Sequence, residues 1–349
     1  MLQIASFNDQ DSTTHNAPLC MRRGLFYTLL TQAPTLLLYF VASTLMTRML
    51  GEVGRGEYAL IINFSVLLAM LMGLNLGGGI VFFVAKAGQN LTNEIGAATT
   101  LLLLNIILTP ALLTLVFLSG PLTALFMPDE RLHWAYWGFV YLSVILSLVN
   151  NSIAGVLLGT KRFATLNTIS VLNAGLSAVG MLIIFLLPHD AQEALPRVLA
   201  VTAVTSTLVT LMWCVFYAMQ VKVPPKPIWS WTMIKPILAF SMVGHLSNLI
   251  NLINYRFDVW VVDQYQGAAQ LGLYAVAVGL GQLLFYVPDP FSRVVQPFLF
   301  GQRNNEMVAQ FKAVARLNFT VLVALAAGMA LTAAWGVPLV FGSQFAASV

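Results

Sequence analysis

The sequence predicts an all-α polytopic membrane protein, a two-lobe helical bundle of nine transmembrane helices, and three observations carry that prediction. Residues are 58% hydrophobic and only 9% charged, with a mean hydropathy of +0.82, against about 25% charged residues in soluble chains. The charges are spaced so that nine uncharged windows of at least about 20 residues separate them, enough to cross the hydrocarbon layer at about 1.5 Å per residue. The chain also matches itself at an offset of 216 positions.

Taken in order, residues 1–21 are polar and hold no apolar core before Met21, so they read as a disordered cytoplasmic tail and not as a cleaved signal peptide. An N-terminal lobe over 22–222 then holds six spans: Gly24 to Thr47, Tyr58 to Ala85, Ile95 to Pro128, Trp134 to Thr160, Phe163 to Pro188 and Val198 to Val221. The remainder, 223–349, holds three: Pro236 to Tyr255, Gln264 to Pro288 and Leu317 to Val349. Between the last two, Met307, Val308, Phe311 and Val314 recur at helical spacing opposite Arg303, Gln310 and Lys312. This predicts an amphipathic helix lying on the inner face within Arg293 to Arg316.

Basic residues set the expected orientation. With a cytoplasmic amino terminus, Arg22, Arg23, Lys86, Lys161, Arg162, Lys222, Lys226, Lys235, Arg293, Arg303, Lys312 and Arg316 lie inside. Arg48, Arg55, Arg131 and Arg197 lie outside, and Arg256 sits near the end of the seventh span. An excess of Lys and Arg in inner loops is what the positive-inside rule requires.

Several classes are excluded. A disulfide scaffold cannot be built from Cys20 and Cys214, one in the tail and one inside a span. The four histidines (His15, His133, His189 and His245) lie in unrelated segments without zinc-ligand spacing, and no G-x-x-x-x-G-K-[S/T] phosphate loop is present. The positive balance is explained by topology, so nucleic acid is not an expected partner, and neither a resident metal nor a cofactor is expected.

The repeat aligns Gly51 with Gly267, Gly56 with Gly272, Tyr58 with Tyr274, Ala59 with Ala275, Leu67 with Leu283 and Leu68 with Leu284. One further residue of shift brings Pro121 and Leu122 onto Pro338 and Leu339. The period is six spans, an even number, so the copies share one orientation and are expected to be related by an axis along the membrane normal. Copy two stops after three spans, which leads us to expect a truncated second lobe with at least three helices missing.

The segment TRMLGEVGRGEYALIINFSVLL (47–68) resembles the R-x-L-G-x-x-x-x-G-x-Y signature of the Wzx-type polysaccharide biosynthesis flippases, in the multidrug/oligosaccharidyl-lipid/polysaccharide exporter superfamily. The segment NLINYRFDVWVVDQYQGAAQLGLYAVAVGLGQLLFYVPDPFSRVVQPFL (251–299) is similar to that family's second-lobe core, an asparagine-rich helix leading to an acidic residue and a G-x-A-x-x-G-x-Y turn. The resemblance covers about Arg22 to Gly342. It implies a MATE-like fold of twelve to fourteen helices and the export of undecaprenyl-pyrophosphate-linked oligosaccharide across the bacterial inner membrane. The product would be a surface polysaccharide such as O antigen, capsule or exopolysaccharide. Membrane lipid, a polysaccharide polymerase and chain-length proteins would be further partners, and transport could be coupled to H+ or Na+.

Such a substrate needs a polar path and cations for its phosphates. In the seventh span Ser241, His245, Asn248, Asn251, Tyr255 and Asp258 recur at intervals of three and four, and so are expected on one face, either lining the space between lobes or bonding neighbouring helices. Arg256 lies about 21 residues, or roughly 31 Å, beyond Lys235, which puts it and Asp258 near the outer interface, as a stabilising pair or as part of an outer gate. Arg48 and Arg55 share an outer turn with Glu52 and Glu57. Their guanidinium forks suit phosphate, though local ion pairs would also explain them. Lys86 and Arg293 end spans two and eight as phosphate contacts or as plain inner anchors. His245 is the titratable group nearest mid-span, placed for proton coupling or for packing.

Nothing resembles a catalytic set, and the expected function is transport, not enzymatic. The alternatives are a cation-coupled multidrug exporter of the same superfamily and a non-functional truncated remnant. The exporter would call for acids deep in one lobe's spans, and the first six spans hold none.

Overall fold

The computed structural model describes residues 17–87, 91–120, 134–160, 162–188, 191–221, 223–286 and 305–348. Eight α-helices follow in chain order: α1 (Ala17–Gly73), α2 (Leu76–Ala87), α3 (Thr92–Leu118), α4 (Trp134–Gly159), α5 (Phe163–Leu186), α6 (Ala191–Val221), α7 (Trp231–Leu283) and α8 (Asn305–Phe341). Short 3-10 segments occupy Leu284–Tyr286 and Ser343–Ser348, and no strand occurs among the described residues. All but the 12-residue α2 are long and apolar enough to cross a membrane, so the chain is a multi-pass membrane protein.

The nine uncharged windows thus fall on seven long helices. Windows one and two both draw on α1, 57 residues long, and windows seven and eight on α7, 53 residues long. Each of these helices is bent at one glycine, Gly51 (φ 63°, ψ −170°) and Gly267 (φ 78°, ψ 177°). Such a conformation is essentially reserved for glycine, and a single residue in it redirects the chain while helical hydrogen bonding resumes on both sides. The outer turn expected around Arg48 and Arg55 is corrected accordingly: it is helix on either side of one break. The two bends occupy positions paired by the 216-residue offset.

The window Tyr58 to Ala85 is also corrected. Helix α1 ends at Gly73, Leu74 (φ 47°) and Asn75 (φ 51°) turn the chain, and α2 starts at Leu76. The Asn75 carbonyl accepts the amides of Gly78 and Gly79 at 3.1 and 3.4 Å, which starts the new helix. No charge marks this break, so spacing of charges reads straight through it.

The largest core joins α1, α3, α4, α5, α6 and α7 through buried residues such as Phe64, Leu113, Val140, Met181, Val198 and Leu271. Helix α8 stands apart. Its separate interfacial segment does not appear: from Asn305 the helix runs unbroken to Phe341, with no glycine or proline before Arg316 to stop it, while residues 293–304 lie outside the described residues. Its far end is packed, where Val337 and Phe341 join Phe345, Leu273 and Val276, and Phe40 meets Phe341 edge to face at 6.0 Å.

Candidate functional site

Helix α7 runs antiparallel to the second arm of α1 and to α2, and a series of contacts marks the seam between them. Ser241 lies against Gly79, where a β-carbon would stand 2.1 Å from its hydroxyl. The Asn75 amide sits over Gly244 and accepts a hydrogen bond from Asn248 Nδ2 at 3.2 Å. Further along, Arg256 Nη1 donates to Asn63 Oδ1 at 3.3 Å. The Asn63 amide is oriented by its own Nδ2, which donates to the Ala59 carbonyl at 2.7 Å. Beside the two bends Gly56 meets Ala268 and Gly272 meets Glu52.

Those last two contacts are reciprocal. A β-carbon on Gly56 would lie 1.9 Å from the Ala268 carbonyl oxygen, and one on Gly272 would lie 1.9 Å from the Glu52 carbonyl oxygen. The repeat offset carries Glu52 to Ala268 and Gly56 to Gly272, so the contact exchanges with itself, as a two-fold relation between two copies requires. Glycine permits the helices to approach by main-chain contact, the packing that small residues provide within membranes.

The polar groups along α7 divide by face. Ser241 and His245 are buried, and neither Ser241 Oγ nor His245 Nδ1 has a hydrogen-bond partner. Asn251 and Tyr255 are exposed, and Tyr255 turns its ring toward Phe285 at 6.2 Å. The expected single stripe therefore winds off the packed face. From Ser241 to Asp258 the chain advances 17 residues, which at 3.6 residues per turn falls about 100° short of five full turns. The face that packs follows Ser241, His245, Leu252, Arg256, Val259 and Asp263 instead, with Arg256 half-buried and the others buried.

Arg256 and Asp258 go to different neighbours, which argues against a simple mutual pair. The Asp258 carboxylate accepts the Val259 amide at 2.9 Å and the Tyr274 hydroxyl. Because Tyr274 lies beyond Gly267, that second bond ties the two arms of α7 across their bend.

The other cationic candidates meet different groups. Arg48 donates from Nε to the Val340 carbonyl (2.7 Å) and from Nη2 to the Leu339 carbonyl (2.5 Å), so a cation meets the negative end of α8. Arg55 lays its guanidinium over the Tyr58 ring, 5.7 Å from the centroid, with Nε buried and unpartnered. Lys86 is exposed in the last turn of α2. Arg293 lies outside the described residues, as do Lys222 and the tail before Ala17.

Neither Asn75 nor Asp263 is marked by the sequence pattern. Asp263 is buried and partnered. Extending the packed face by true helical periodicity from Ser241 would have found it, whereas nothing local singles out Asn75. Among the described residues, no three His, Cys, Asp or Glu side chains gather as metal ligands would.

The family model described as "Polysaccharide biosynthesis protein" matches residues 21–301. No curated protein and no solved structure gives a match.

Proposed function

Since the chain belongs to the polysaccharide biosynthesis protein family, we propose that it translocates undecaprenyl-pyrophosphate-linked oligosaccharide across the bacterial inner membrane, with its amino terminus in the cytoplasm. The observation that carries this reading is the seam along α7. In a chain with so few charges it sets Asn248 against Asn75, in the turn after α1, and Arg256 against Asn63 of α1, with Ser241 and His245 buried on the same face of α7. A glycan needs hydrogen-bonding groups along its route, while its lipid tail can stay in the bilayer.

Arg256 is the favoured phosphate ligand. A guanidinium carries five N–H donors, and the hydrogen bond to Asn63 uses one of them. Arg48 already spends two donors on α8 carbonyls, and Lys86 serves as an anchor. Coupling to protons would act through His245, which lies in the seam with an unpartnered ring nitrogen. Sodium coupling would not need that residue. The polymerase and the chain-length proteins would receive the product on the far side.

The deciding experiment measures the sidedness of lipid-linked oligosaccharide in cells lacking this gene, with the chain supplied back. Accumulation on the cytoplasmic leaflet that the chain relieves is the expected result. Absence of accumulation overturns the glycan reading and brings drug export forward.

A further inference from the structure

A cavity of about 210 Å³ opens between α1, α5 and α6, beside the seam but not within it. Ser43, Tyr58, Asn173, Ser177, Thr205 and Ser206 line it, and no charged side chain does. Asn173 Nδ2 donates to the Tyr39 hydroxyl at 2.9 Å on its wall. The hydroxyls of Ser43, Tyr58, Ser177, Thr205 and Ser206 make no hydrogen bond among the described residues, although Thr205 is buried. Hydroxyls that face a cavity favour polar contents able to hydrogen-bond to them.

Comparison of the two repeat copies sharpens the point. In copy two the Asp258 carboxylate takes the Tyr274 hydroxyl. The offset places Ala42 and Tyr58 at the corresponding positions of copy one, and both line the cavity. An alanine cannot accept that hydrogen bond, so the tyrosine hydroxyl of copy one is left for a ligand. Ala42 also belongs to the core that contains Val259 and Leu271 of α7, so the cavity borders the same core as the proposed path.

We propose that this cavity binds one neutral sugar unit of the translocated glycan, an inference that rests on the flippase reading. A pyrophosphate would call for cations, which are missing from the lining. A bare alkali cation would call for close-set oxygen ligands, and a cavity holding the volume of several waters, at about 30 Å³ each, is too wide. Hydroxyl and amide groups backed by two tyrosine rings match the alternating polar edge and apolar face of a pyranose. The same polyhydroxyl chemistry could come from a lipid glycerol group, and the test separates the two.

The full chain in lipid nanodiscs is titrated with the methyl glycosides of glucose, galactose, mannose and N-acetylglucosamine, and separately with glycerol, and binding is read by saturation-transfer NMR. Saturable binding of at least one glycoside is expected, weakened about tenfold or more by Ser177→Leu, which fills the cavity, and several-fold by Tyr58→Phe, which removes one hydroxyl at constant shape. Failure of every glycoside to bind the folded wild-type chain overturns the proposal, as does binding that both variants leave unchanged or that glycerol matches. A wild-type chain that relieves glycan accumulation yet binds no glycoside defeats this inference alone, whereas glycoside binding without any translocation defeats the flippase reading.

Discussion

Gly56 lies so close to Ala268 that a β-carbon on the glycine would stand 1.9 Å from the Ala268 carbonyl oxygen, and Gly272 stands in the same relation to Glu52. Main chain touches main chain at both points, so no side-chain rotation can relieve an added methyl group. Gly56→Ala and Gly272→Ala are each expected to push α1 and α7 apart at a cost of about 1–3 kcal/mol, lowering the thermal unfolding midpoint in detergent. Gly279→Ala is the control, since nothing lies within 4 Å of the position its β-carbon would take. An unchanged midpoint in both seam variants would show that the helices do not meet there.

Gly267 makes a different demand. A β-carbon there meets nothing within 4 Å, yet φ is +78°. Gly267→Ala should therefore destabilise through backbone strain alone, by about 1–3 kcal/mol. The check is to compare its unfolding midpoint with that of Gly281→Ala, which also has open space but no positive φ. Equal midpoints would argue against the bend.

Arg48 and Arg256 separate support from transport. Removing Arg48 frees the end of α8, because two of its carbonyls lose their donor. At an exposed helix terminus the loss is about 1 kcal/mol. Arg48→Ala should expose a cysteine placed at Val337, buried at the packed end of α8, to thiol reagents while leaving glycan translocation largely intact. Arg256→Ala should leave that labelling unchanged and reduce translocation at least tenfold. The opposite pattern would make Arg48 the phosphate ligand.

Asp258 and Tyr274 form a tie across the α7 bend. Tyr274→Phe and Asp258→Ala should each destabilise the protein, and the double variant should cost clearly less than the sum, with a coupling of about 1–2 kcal/mol. Strict additivity in denaturation would mean the tie contributes nothing. Spin labels on the two arms provide a second reading, a broader distance distribution once the tie is cut.

The membrane class, the helical content, most helix positions and the family were legible in the chain because they depend on local quantities. A run of apolar residues spans a bilayer whatever surrounds it, and a repeat needs only alignment. Window boundaries failed where a conformational event carried no charge signal, as at Leu74 and Asn75, and where a glycine bend looked like a loop, as at Gly51. The α7 stripe is not one face because its intervals of three and four sum to an angle that drifts off the packed side of the helix.

What the tertiary structure alone decided is which partner each polar group meets. Arg256 and Asn63 are 193 residues apart, and Arg48 and Val340 are 292 apart. No spacing rule in a single chain reaches across such distances, since the packing of whole helices sets those pairs. The sequence by itself determined that this is a helical membrane protein with two related segments whose glycines align. Folding determined that the segments meet at those glycines, that Arg48 caps a helix, and that one polar face of α7 lies against Asn63 and Asn75.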